Sequence, residues 1–197
     1  MISDEMLVEQ TLTGDISAFE EIVNRYKNSV FAIAYRMTGQ YQEAEDISQD
    51  IFINLYEKMY QFDGNKKLSP WIHRIAVNTS ISALRKKKNM VSLSFDEAFV
   101  PNYEAFSGFD MHNPQFQVES KELKAEINAA IMELPESYRA VITLRYQMDF
   151  NNQEIAGILG TSRDNVEVRI HRARKALRRV ILKRCQERGI INELSRD

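Results

Sequence analysis

A single cysteine, Cys185, rules out any intrachain disulfide and any cysteine-based metal cluster. Only three scattered histidines accompany it, which argues against a metal site of the usual Cys/His kind. No apolar run approaches the ~18 residues of a membrane span, and the N-terminus lacks a signal-peptide pattern. The expectation is a cytoplasmic protein without membrane insertion. Seven glycines and four prolines in 197 residues are too few for a loop-rich fold. No Gly-rich phosphate loop is present, and nothing clusters as metal or nucleophile partners would, so an enzyme is not expected and no cofactor is implied. At 44% hydrophobic and 27% charged, the chain has enough apolar material for one or two small domains with real cores.

Basic residues are missing from one stretch and crowded into another. Net charge is -2, unlike a nucleic-acid binder at first sight. Residues 1–88 carry 11 basic and 12 acidic groups, residues 89–120 carry 0 and 5, and residues 121–197 carry 15 and 11. Within the third part, Arg163 to Arg188 holds 10 basic residues against 3 acidic, a local +7. Phosphate is neutralised by such patches, not by the overall isoelectric point.

Apolar spacing predicts helices almost throughout. Asp15 is a good N-cap for a helix with the stripe Phe19, Ile22, Val23, Tyr26, Val30, Ile33, Ala34 and Met37, ending near Gly39. A second helix runs from about Tyr41 to Tyr60, with Ala44, Ile47, Ile51, Leu55 and Met59 inward. After a loop from Phe62, Ser69-Pro70 signals a third start, an N-cap followed by proline at the first helical position. That helix passes through Trp71, Ile75, Ile81 and Leu84 into Arg85-Lys-Lys-Lys88. From Asn89 to about Ser120 the period disappears, Pro101 and Pro114 occur, and aromatics are scattered among acids, which reads as an interdomain linker. Helical pattern resumes with Leu123, Ile127, Ala130, Ile131 and Leu134, then Tyr138, Val141, Ile142 and Tyr146.

The most informative stretch follows. Asn152 to Gly160 reads as a short helix stopped by glycine, and the next helix is basic. Val166, Ile170, Ala173, Leu177 and Ile181 fall in one narrow arc, while Asp164, Val168, His171, Arg172, Lys175 and Arg179 lie opposite. Two helices joined by a short turn, the second one cationic, form a helix-turn-helix for the DNA major groove. The expected fold is all-α: two small helical domains joined by an irregular linker, the C-terminal one a helix-turn-helix. The expected divisions are 1–90, a linker over 91–120, 121–185, and a tail over 186–197.

Four segments, in order, carry a family resemblance. They are Tyr41-Gln-Glu-Ala-Glu-Asp-Ile-Ser-Gln-Asp-Ile-Phe52, Leu68-Ser-Pro-Trp-Ile-His-Arg-Ile-Ala-Val-Asn78, Leu134-Pro-Glu-Ser-Tyr-Arg139 and Ile170-His-Arg-Ala-Arg174. Together they resemble the extracytoplasmic-function (ECF) class of the sigma-70 family of bacterial RNA polymerase sigma factors. The resemblance implies a promoter-directing polymerase subunit that lacks the extra domains of primary sigma factors. Its implied partners are core RNA polymerase (the largest-subunit clamp helices and the flap), promoter DNA and a cognate anti-sigma factor.

The resemblance also implies roles for residues. Asp46, Gln49 and Asp50 share a helical face that by itself reads as a solvated surface; the family uses it, with Phe52, to dock on polymerase, and Asp50 stands where relatives usually carry Glu. Trp71, Arg74 and Asn78 share a face flanked by Lys66, Lys67, Arg85, Lys86, Lys87 and Lys88. That set is implied to recognise the -10 element and hold its nontemplate strand open, which needs a stacking surface, a polar pocket and cations. Trp71 stays open between core and stacking, and His73 reads as a surface histidine rather than a ligand. Arg163, Asn165, Glu167, Val168, His171, Arg172, Lys175 and Arg179 match positions reading the -35 element.

Chemistry divides that last set. Arg172 can pair with guanine O6 and N7, Glu167 can accept from cytosine N4, and Val168 can meet a thymine methyl. Arg163, Lys175 and Arg179 suit phosphates. Asn165, Glu167 and Val168 depart from the residues usual in relatives, so the usual -35 sequence is not expected. Glu167 has the alternative of only pairing with Arg163 or Arg174. The cation-free linker is implied to thread the polymerase cleft, against the plainer reading of a tether. The competing function is a stand-alone helix-turn-helix transcriptional regulator, which would bind duplex DNA without polymerase.

Overall fold

The computed structural model describes residues 2–91 and 114–187, with backbone alone at 88–91 and 114–122. Eight α-helices are present among them: α1 Asp4–Leu12, α2 Ile16–Thr38, α3 Tyr41–Lys58, α4 Leu68–Val91, α5 Pro114–Met132, α6 Glu136–Ile142, α7 Asn152–Leu159 and α8 Arg163–Glu187. No strand occurs among the described residues.

The N-terminal helices form because their caps and stripes agree. Asp15 Oδ1 accepts from the amides of Ser17 at 2.9 Å and Ala18 at 3.4 Å, satisfying two free N–H groups at the start of α2. Gly39 closes the same helix with φ 74°, a left-handed conformation that costs glycine little. Ile22, Val30, Ile33, Ala34 and Met37 of α2 meet Ala44, Ile47, Ile51 and Leu55 of α3, and Ile72, Ala76 and Val77 of α4 complete that core.

Several expectations need correction. Helix α1 carries no strong apolar stripe, so periodicity missed it; Leu7 and Val8 dock it, and Asp4 accepts from Arg25 at 2.8 Å and from the Tyr26 hydroxyl. Helix α4 begins at Leu68, so Ser69 and Pro70 lie inside its first turn rather than at its cap. It runs on to Val91, and α5 starts at Pro114, so the segment expected to be irregular is helical at both ends. Pro114 is a helix start and not a breaker, since proline's missing N–H is unpaired there anyway. The rest of the linker expectation, residues 92–113, and the tail from 188 lie outside the described residues.

The C-terminal domain differs at two more places. Leu123 and Ile127 are exposed, because α5 buries only its last turns, at Ala130 and Ile131, while its seam with α8 is polar: Arg184 sits between Glu126 and Glu133. Tyr146 is 55% exposed because α6 continues into a π-helical turn, Thr143–Gln147, whose wider winding rotates it off the expected stripe. The two domains also touch. Helix α4 packs on α2 and α3 with one side and on α6 and α7 with the other, and the apolar cores are continuous.

Arg139 is the polar tie of that junction. Its buried guanidinium donates to the carbonyls of Met132 and Leu134, closing the α5–α6 corner, and to the carbonyl of Met37 in the last turn of α2. Arg139→Met keeps the bulk and leaves those carbonyls without the charged donor. The expected loss of unfolding free energy is about 2–3 kcal/mol, measured by urea titration; a loss under about 0.5 kcal/mol would show the tie to be dispensable.

Candidate nucleic-acid interface

Helix α8 presents the face anticipated for it. Asn151 caps α7 with a reciprocal capping box to Glu154, and Gly160, at φ 63° and ψ 42°, ends it. Ser162 Oγ then accepts from the Asn165 amide at 3.2 Å and starts α8. The turn between the helices is thus Gly160, Thr161 and Ser162. Val166, Ile170 and Ala173 are buried, which turns Arg163, Asn165, Glu167, Val168, His171, Arg172, Lys175 and Arg179 to solvent, all of them exposed.

One member of that face is held in place. The Glu167 carboxylate pairs with Arg163 at 3.1 Å and accepts from Asn152 Nδ2 at 3.3 Å. Of the two pairings considered, Arg163 is the one formed. The pair is exposed and weak, under about 1 kcal/mol, so a stronger donor can replace Arg163 at little cost. Asn152 was not anticipated, since its reach to α8 is tertiary and leaves no periodic signal. It lines a shallow notch of about 230 Å³ together with Arg145, Glu167, Ile170, His171 and Arg174.

On α3, Asp46, Gln49 and Asp50 are all exposed on one face. Phe52 is not on it: it is half-buried and packs against the core. The exposed face continues instead through Ile53 and Tyr56, large apolar groups left in solvent, with Tyr56 edge-on to Phe19 at 4.9 Å. Sequence reasoning passed over these two, although Asp46, Asp50 and Ile53 share the spacing of one helical face.

The third set is divided between the loop before α4 and the helix itself. Asp63 organises the loop: its Oδ1 accepts from the Asn65 amide at 3.1 Å, and Lys66 Nζ lies 3.3 Å from its carboxylate. Those contacts hold the Asp63 carboxyl below its ordinary value, the Asn65 amide first and Lys66 next. Lys66 and Lys67 are exposed. Trp71 is half-buried and tilted on Phe62, ring centroids 5.2 Å apart, so it anchors the loop end while keeping part of its ring accessible. Arg74 and Asn78 are exposed one turn apart, followed by Arg85 and Lys86. Lys87 pairs with Glu43 across the α3–α4 crease, and the Lys88 side chain lies outside the described residues.

His73 corrects the surface assignment, being only 5% exposed. Its Nε2 lies 3.3 Å from Ser29 Oγ and its Nδ1 3.5 Å from Ser69 Oγ, with Tyr26 and Phe150 rings beside it. Helical spacing alone misses this, because the residues that bury it come from α2 and from the C-terminal domain. No group of three or more His, Cys, Asp or Glu residues able to hold a metal occurs among the described residues. No helix there is long and apolar enough to cross a membrane.

The geometry defines a two-domain helical DNA-binding protein: a helix-turn-helix with a cationic outer face beside a helical domain with an exposed acidic face. A family model described as Sigma-70 region 2 matches residues 22–90, and one described as Sigma-70, region 4 matches residues 124–177. The ECF RNA polymerase sigma factor SigW of Bacillus subtilis is 40% identical over 174 residues, covering 87% of this chain and 93% of SigW. The ECF RNA polymerase sigma-E factor of Escherichia coli K12 is 32% identical over 89% of this chain and 93% of its own length. Among solved structures, CnrH in complex with the cytosolic domain of CnrY shares the fold, with a TM-score of 0.61 at 24% identity over 90% of this chain and 96% of that one. This chain belongs to the sigma-70 family of RNA polymerase sigma factors, in its ECF class. It is an alternative sigma factor, a DNA-binding initiation factor that directs core polymerase to particular promoters.

His73 supplies a pH test of the packing. Burial pushes its imidazole below the ordinary value of 6.5, so the folded chain favours the neutral ring. Its stabilisation is complete above about pH 6.5 and is lost as pH falls from there through the lower folded value, because the unfolded chain takes up the proton first. Thermal midpoints are expected to be lower at about pH 5.5 than at about pH 7.5, and His73→Gln should shrink the difference. An unchanged difference in that variant would assign the effect to other groups.

Proposed function

We propose that the exposed residues of α3, α4 and α8 divide the work of initiation. Asp46, Gln49 and Asp50 dock on the clamp helices of the largest polymerase subunit, with Ile53 and Tyr56 extending the contact and Phe52 supporting it from the core side. Lys66, Lys67, Trp71, Arg74 and Asn78, with Arg85, Lys86, Lys87 and Lys88 along the same helix, recognise the -10 element and hold its nontemplate strand. Strand opening requires a half-exposed ring for stacking beside cations and an amide, and Trp71, Arg74 and Asn78 supply those groups on adjacent turns.

In α8, Arg172 and Val168 read base edges of the -35 element, and Arg163, Lys175 and Arg179 bind phosphate. Asn165 and His171 border the same groove. Glu167 accepts from a cytosine amino group, and Asn152 holds its carboxylate when Arg163 turns to phosphate. The observation that carries this reading is the full exposure of that face above a buried stripe.

The domain assignment that goes with it is docking and melting in residues 1–90 and -35 reading in 121–185, the latter beginning earlier, at Pro114, by backbone. The chain itself performs no covalent chemistry and works in the cytoplasm beside the polymerase. An anti-sigma factor is a further proposed partner, supported by the solved relatives bound to CnrY and, in Bartonella quintana, to the anti-sigma factor NepR.

In vitro transcription with core polymerase on a randomised promoter library tests the whole reading. A pair of conserved boxes spaced as -35 and -10 elements is expected; no enrichment would overturn it. Replacing Asp46, Gln49 and Asp50 by Ala should weaken core binding with the fold intact, and unchanged affinity would remove the docking assignment. Arg172→Ala should cost about 1–3 kcal/mol and relax preference at one -35 base pair. A uniform loss over all sequences would make it a phosphate contact instead.

A further inference from the structure

Glu167 is an acid on a cationic helix, and its two carboxylate oxygens are not used alike. Oε1 accepts from Asn152 Nδ2 at 3.3 Å and from Arg163 Nε at 3.1 Å. No hydrogen bond or ion pair reaches Oε2 from the described residues. A carboxylate has roughly two acceptor sites on each oxygen, so Oε1 is filled by its two donors and Oε2 keeps its full capacity. The side chain is 48% exposed.

The two donors differ in what holds them. Arg163 lies on the same helix, and its exposed pairing is of the weak surface kind. Asn152 is the first residue of α7, whose start is fixed by the capping box between Asn151 and Glu154. Ile155 of α7 and Val166 of α8 are fully buried, and the two helices pack directly on each other. The Asn152 donor therefore comes from a rigid neighbour.

We propose that this unequal use divides the carboxylate into an anchor and a reader: Asn152 is a positioning residue that fixes Oε1, and Oε2 is the atom that selects one base of the -35 element. The inference rests on the base-reading role given to α8 above. In the major groove cytosine offers its N4 donor, thymine and guanine offer acceptors, and adenine sets its N6 donor beside the N7 acceptor. A fixed acceptor therefore takes cytosine, is repelled by thymine and guanine, and meets the adenine donor only next to a repelling N7. Without the anchor the side chain must be ordered on the DNA, which costs about two- to tenfold in affinity.

The anchor also dictates what a glutamine would read. A glutamine free to turn pairs bidentately with adenine N6 and N7. In Glu167→Gln, Asn152 Nδ2 and Arg163 Nε are both donors and both require the amide oxygen, which leaves only the NH2 group on the reading side. The variant should therefore favour a base-edge acceptor, on guanine or thymine, over adenine.

The test is binding of holoenzyme, core polymerase loaded with each variant, to a promoter recovered by holoenzyme selection with every -35 base pair replaced in turn. The unaltered chain is expected to prefer cytosine to thymine about tenfold at one position, about 1.4 kcal/mol. Asn152→Leu should reduce that ratio to about twofold, with preferences at other positions and the salt dependence unchanged. Glu167→Gln should move the preference to guanine or thymine, and combining it with Asn152→Leu should move it on to adenine. Adenine chosen by Glu167→Gln alone would overturn the proposal, as would a cytosine preference that survives Asn152→Leu. So would a uniform loss over all sequences in Asn152→Leu with a shallower salt slope, the mark of a phosphate contact. If Glu167→Gln alters no base preference at any position, the base-reading role itself fails; the other adverse outcomes leave that role standing and remove only the anchor.

Discussion

Everything in this structure depends on helix α4 being packed from two sides while keeping a third free. Ile72, Ala76 and Val77 close the N-terminal core against α2 and α3, and His73 is covered from α2 and from the C-terminal domain. A helix with two buried sides has little surface left for polar groups, and among the described side chains Arg74, Asn78, Ser82, Arg85, Lys86 and Lys87 are the exposed ones. Those polar groups therefore stand on a rigid element instead of a loop, which holds them in one geometry.

The same packing couples sites that look independent in sequence. Lys87 on α4 pairs with Glu43 in the first turn of α3, a turn away from Asp46. At the other end, Arg74 meets the turn of the helix-turn-helix. The acidic face of α3, the exposed residues of α4 and the helix-turn-helix thus share one helix as their common support.

Much of the site was legible before any coordinates. Asp15, Gly39 and Gly160 announced helix ends through chemistry that acts within a few residues, and the structure has all three where that chemistry puts them. The stripe of Val166, Ile170 and Ala173 likewise decided which side of α8 faces solvent. The failures have a common cause. Helix α1 lacks a stripe, Pro114 begins a helix that looked broken, and the π-turn moves Tyr146 off its expected face. In each case local pattern was weak or ambiguous, and for α1 the contacts of Asp4 with Arg25 and Tyr26 fasten it to α2.

The sequence by itself determined the helices, their caps, the cationic face of α8, the acidic face of α3 and the family to which the chain belongs, because periodicity, capping and motif order are properties of neighbouring residues. Only the tertiary structure decided that Phe52 turns to the core and Ile53 and Tyr56 to solvent, that His73 is buried, that Glu167 is held by Arg163 and Asn152, and that Gly160 lies under Arg74. Most of these rest on pairs far apart in the chain, and Phe52 on which side of its helix the rest of the fold covers. Burial and contact of that kind depend on how whole helices cross, which no local spacing encodes.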